Sequence, residues 1–85
     1  MHSIIFLFAE KISIGRLEWI TNLIQTFLEM RQELKQTENI QINEISINIF
    51  LTGDAIYSLI DKQYLNLWLR ILKYEEIKCI VDSWD

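Results

Sequence analysis

Two periods alternate along this chain. Ile45, Ile47, Ile49 and Leu51 recur at every second position, which sets them on one face of a strand. That strand runs into Thr52-Gly53-Asp54. Gly53 permits a sharp turn there, and Asp54 stands where it can cap the free amides of a helix starting at Ala55. Residues 3–9 (SIIFLFA) form a continuous apolar run, the signature of a strand covered on both faces in a parallel sheet. Between the two runs, Leu17, Ile20, Ile24, Phe27, Leu28 and Leu34 return at spacings of three and four or their multiples. This predicts an amphipathic helix over residues 15–36, with Ser13 as its cap and Glu18, Gln25, Glu29, Gln32 and Glu33 on its solvated side. Residues 37–43 are a polar connection, with Ile40 and Ile42 as alternative early starts of the next strand.

Beyond Asp54 a short helix is predicted, and Asp61-Lys62-Gln63 interrupts it. The helical pattern resumes over residues 64–74, with Leu65, Trp68, Leu69 and Leu72 assigned to one stripe. Glu75 and Glu76 end it, and residues 77–81 read as a third strand. The order is β-α-β-α-α-β, with crossovers long enough to join parallel neighbours. The predicted architecture is therefore α/β: a three-layer α/β/α domain over residues 1–85, with a short, mainly parallel sheet whose first two strands are adjacent. Strands that deliver loops in this way gather function at their carboxyl ends.

Composition changes this picture in three places. A chain of 85 residues that is 51% hydrophobic buries only about two-thirds of its unfolded surface, so its apolar surplus suits cover by another subunit. A net charge of −4 disfavours direct nucleic-acid binding, which needs clustered Lys and Arg. The run SIIFLFA is too short to span a bilayer and lacks the basic start and cleavage site of a signal peptide. It reads as a buried strand of a cytoplasmic protein.

At this point the order of motifs resembles the DsrE/DsrF/DsrH superfamily of small sulfur-relay proteins, which includes the Tus subunits. An apolar strand, a loop and a long helix lead to a second strand that enters Gly53-Asp54-Ala55-Ile56-Tyr57. A leucine-rich helix and the segment Glu75-Glu76-Ile77-Lys78-Cys79-Ile80-Val81-Asp82 follow. The resemblance covers nearly the whole chain through short, mostly hydrophobic motifs. It implies homo- or hetero-oligomers of DsrE-like subunits in which a cysteine-bearing subunit passes sulfur to an acceptor protein. In sulfur-carrying members the active cysteine ends the third strand, a position that falls here on Asp82, while Cys79 sits inside the strand. The pattern is closer to the members that lack the relay cysteine. The family usually continues into further strand and helix; either this chain is a shortened version or a partner completes its sheet.

Two function classes follow. One is an accessory or carrier subunit of a sulfur-transfer assembly. Cys79, the single cysteine, is then the only residue able to carry sulfur, by thiolate attack on a donor. As a plain structural residue it is a small buried hydrophobe, the commoner fate of a free cysteine. If it carries no sulfur, Asp54, Tyr57 and Asp82 are expected to line a pocket around a partner's cysteine. The other class is an interaction or regulatory module of flavodoxin-like fold without sulfur chemistry. A Mg²⁺-dependent phosphoacceptor is a third reading and requires Asp54 and Asp82 to converge. His2 is the lone histidine, so the chain has no internal Cys-His or Ser-His pair. The Gly-x-Gly-x-x-Gly phosphate loop is absent. Neither a cofactor nor a metal site is predicted. Trp19 and Tyr64 fall partly off their helical stripes, as aromatics at an oligomer contact do.

Overall fold

A computed structural model describes residues 2–37 and 44–81. Strand β1 spans His2–Phe8, helix α1 Ile14–Thr37 and strand β2 Ile45–Leu51; a 3₁₀ turn Gly53–Leu59, helix α2 Lys62–Leu72 and strand β3 Ile77–Val81 complete it. The protein is thus α/β, with an all-parallel sheet in the order β1-β2-β3. Residues 37–43 and the alternative strand starts at Ile40 and Ile42 fall almost wholly outside the described residues.

The core follows from the alternation in β2. Ile47, Ile49 and Leu51 are buried to within one per cent of full burial, and each is flanked in register by Ile4, Phe6 and Phe8 of β1 and by Ile77, Cys79 and Val81 of β3. Onto this face pack Leu17, Ile24 and Leu28 of α1 with Leu67, Trp68 and Ile71 of α2. Each such side chain contributes roughly 1.5–3 kcal/mol through removal from water. The indole of Trp68 meets the Phe8 ring edge-on at 6.2 Å.

The two helices lie side by side. Arg70 Nη1 donates to Asn22 Oδ1 at 3.3 Å, and two turns further along α1, from just past the end of α2, Tyr74 Oη donates to Glu29 Oε1 at 3.5 Å. Successive crossovers of one hand that step in one direction across a sheet leave their helices on the same face. Among the described residues the layers are therefore two, where the hydrophobic run of β1 had predicted helices on both faces. Ile5 and Leu7 of that run are 65% and 68% exposed, because β1 is an edge strand with one uncovered face.

The helix expectations need one further correction and one addition. The stripe of α2 is Tyr64, Leu67, Trp68, Ile71 and Leu72, while Leu69 faces solvent. Trp68 and Ile71 fix this face, since both are fully buried and lie three positions apart. Along α1 the cap is as predicted, with Arg16 N donating to Ser13 Oγ at 3.3 Å. Its buried positions include Thr21, whose hydroxyl donates to the Leu17 carbonyl at 2.9 Å, which satisfies a polar side chain in an apolar stripe.

Candidate functional site

Parallel strands place all their carboxyl ends at one end of the molecule, and three successive segments meet there. The loop after β1 brings Lys11, held in place by buried Ile12. Gly53, at φ 58°, turns the chain out of β2 in a conformation a side chain would strain, and the 3₁₀ turn then presents Asp54 and Tyr57. Asp61 and Tyr64 come from the start of α2. Together these segments line a half-open cleft of about 370 Å³.

Asp54 does not cap a helix. The position before the turn is Thr52, no side chain caps it, and Asp54 lies exposed within the first turn. The capping role belongs to Asp61, where the sequence pattern showed only an interruption: its Oδ1 accepts from Gln63 N at 3.0 Å at the start of α2. Beneath the cleft, buried Ser58 Oγ donates to the Ala55 carbonyl at 2.8 Å and accepts from Trp68 Nε1 at 3.0 Å. This pair ties the turn to the core and satisfies the indole N–H that burial would otherwise penalise.

Asp54 and Tyr57 are thus brought together, and Lys11, Asp61 and Tyr64 join them. No local sequence pattern marks those three, because Lys11 and the start of α2 meet only through the strand order. Tyr64, expected at an outer contact, is half-buried against the core instead. Asp82 lies outside the described residues. Cys79 stands apart from the cleft. It faces the helix layer from the middle of β3, paired in register with Ile49 and packed against the core. Burial raises its pKa above the ordinary thiol value, so the thiol stays protonated and weakly nucleophilic near neutral pH. Lys78, its neighbour, projects to the opposite face and is exposed.

The cleft therefore offers an ammonium, two carboxylates and two phenols, with neither thiol nor imidazole among its lining residues. Such a set recognises by hydrogen bonding, charge and ring contact. Among the described residues no three His, Cys, Asp or Glu side chains group as a metal site, and no helix is long and apolar enough to cross a membrane. Set against family models, curated proteins and solved structures, the chain matches none.

Proposed function

We propose that this protein is a non-catalytic, cytoplasmic accessory subunit of a DsrE-like sulfur-transfer assembly, whose cleft receives the cysteine-bearing segment of a partner. The observation that carries this reading is a separation. The cleft at the strand ends has polar and aromatic groups but no thiol, whereas the chain's one thiol is packed in mid-strand with its pKa raised. Tyr57 and Tyr64 offer ring edges, against which sulfur packs favourably, and hydroxyl donors.

The test has two arms. Intact mass after exposure to a persulfide donor is expected to show no added sulfur on the native chain, with Cys79 titratable once the protein is denatured. Sulfur that appears on the native protein and disappears in Cys79→Ala would make the chain a carrier. In the second arm, a peptide bearing a cysteine persulfide is titrated while the amide spectra of Tyr57, Asp61 and Tyr64 are followed. Binding there, weakened about tenfold by Tyr57→Ala (roughly the loss of one good contact), is the expected outcome. Equal binding of the same peptide with an unmodified thiol would favour a plain interaction module of flavodoxin-like fold. The empty-handed chemistry of the cleft suits that second reading also.

A further inference from the structure

One lateral edge of the molecule is apolar in both of its layers. In the helix layer, Trp19, Leu23, Phe27, Met30 and Leu34 are all exposed to a third or more. Their spacings of four, four, three and four residues keep them within about 80° of arc on a helix that turns 100° per residue. This arc adjoins the buried one and lies away from Asn22 and Glu29, which face α2. Leu23 and Phe27 line an apolar groove with Ile4 and Phe6, so the arc overhangs β1.

In the sheet layer, no described residue pairs with the outer side of β1. His2 N donates inward to Glu44 O, and Phe8 O accepts inward from Thr52 N. Backbone groups of a strand alternate in direction, so the N–H and C=O of Ser3, Ile5 and Leu7 point outward. The strand holds no Asp, Glu, Lys, Arg or Pro, the residues that normally guard such edges. The opposite edge, β3, carries Lys78.

We propose that this edge pairs with the same edge of a second copy of the chain, about a twofold axis perpendicular to the sheet. Ile5 then lies opposite Ile5 of the second copy, and Ser3 opposite Leu7, in an antiparallel ladder that joins two three-stranded sheets into one of six. The two α1 helices come together antiparallel across the same axis. Leu23 and Phe27 lie beside Ile4 and Phe6, so a second copy brought to the β1 edge meets the helical stripe as well as the strand. Weighted by exposure and taken at roughly 200 Å² per large side chain, the stripe with Ile4, Ile5 and Leu7 exposes on the order of 800 Å² of apolar surface per copy, an upper bound on what the pairing buries and comparable with one side of a standard interface. An isologous contact of this kind closes on itself and uses up the β1 edge, leaving as outer edges the two β3 strands with their Lys78. The uncovered sheet face is the weaker candidate, because Ser3, Asn48 and Lys78 interrupt its apolar residues.

Sedimentation equilibrium at micromolar concentration tests this, with a mass near twice 10.2 kDa expected. Ile5→Pro removes an outward N–H without touching the β1–β2 ladder, and Met30→Glu puts a charge on the helical stripe. Each is expected to raise the dimer dissociation constant at least about 100-fold, as central interface contacts do, with unchanged circular dichroism. Leu69→Glu and Ile80→Lys, on the far helix and the uncovered sheet face, are expected to leave the dimer intact. Hydrogen exchange adds a local readout: the Ser3, Ile5 and Leu7 amides should be protected in the wild type and fast in Met30→Glu. A monomeric wild type, a dimer that survives both edge variants, or one lost in Ile80→Lys would overturn the proposal. None of these outcomes bears on the cleft, which lies at the strand ends.

Discussion

Strands β1 and β2 are both seven residues long and carry five apolar residues each, yet their burial is opposite. HSIIFLF holds its five in one unbroken run and no residue of β1 is fully buried; ISINIFL alternates and carries the centre of the core. Place in the sheet decides burial, and the surplus of apolar character then marks the surface the fold leaves uncovered. The same contrast separates two tryptophans. Trp68 is wholly buried, edge-on to Phe8 and hydrogen-bonded to Ser58. Trp19 is 65% exposed on the outer side of α1.

The largest effect that can break this contrast comes from those two side chains. Trp68→Ala is expected to lower stability by about 3–5 kcal/mol, seen as a fall in the urea midpoint at every protein concentration. Trp19→Ala should act only through association and flatten the dependence of that midpoint on concentration. Equal losses from both at high dilution would mean that the outer stripe belongs to the subunit core after all.

A smaller effect sharpens the contrast between the two aspartates of the cleft. Asp61→Ala removes a helix cap and should cost about 1 kcal/mol in chemical denaturation. Asp54→Ala, which removes no cap, should stay within about 0.5 kcal/mol of wild type and reveal itself only in peptide binding. The smallest effect is at Cys79. Its folded pKa is raised, so the native state holds the proton more tightly than the unfolded chain does. The associated stability is complete below the ordinary thiol pKa and is lost as pH rises through the folded value. Wild type should therefore lose ground to Cys79→Ala as denaturation is followed above pH 9, with no pH-dependent difference between them near neutrality.

Strand β2 and the long helix are legible from their periods and strands β1 and β3 from short apolar runs, and the helix starts at a residue with a local reason, Ser13 capping α1. Strand β2 and strand β3 match their predicted limits, since alternation and the short apolar run leave little freedom of register. The second face of the sheet is not legible because an apolar run looks the same whether one face of its strand is covered or both. The stripe of α2 was misassigned because leucines outnumber the true anchors there, and only packing against β2 and β3 reveals that Leu67 and Ile71 face inward while Leu69 does not. Of the candidate site, Asp54 is legible in the strand-turn pattern, while Tyr57 enters only through the family resemblance. Lys11, Asp61 and Tyr64 join them only once the sheet order brings their loops to one place.

The parallel register also sets the order in which the molecule can assemble itself. His2 has to find Ile45, and Ile47 has to find Ile77, before either ladder forms its first hydrogen bond. Each pairing closes a long loop, and that entropy opposes folding until the helices between have collapsed onto the strands. Until then the uncharged run of β1, the earliest of the three strands in the chain, waits without its neighbour. Its refolding yield is accordingly expected to rise with dilution, a dependence the finished fold does not display.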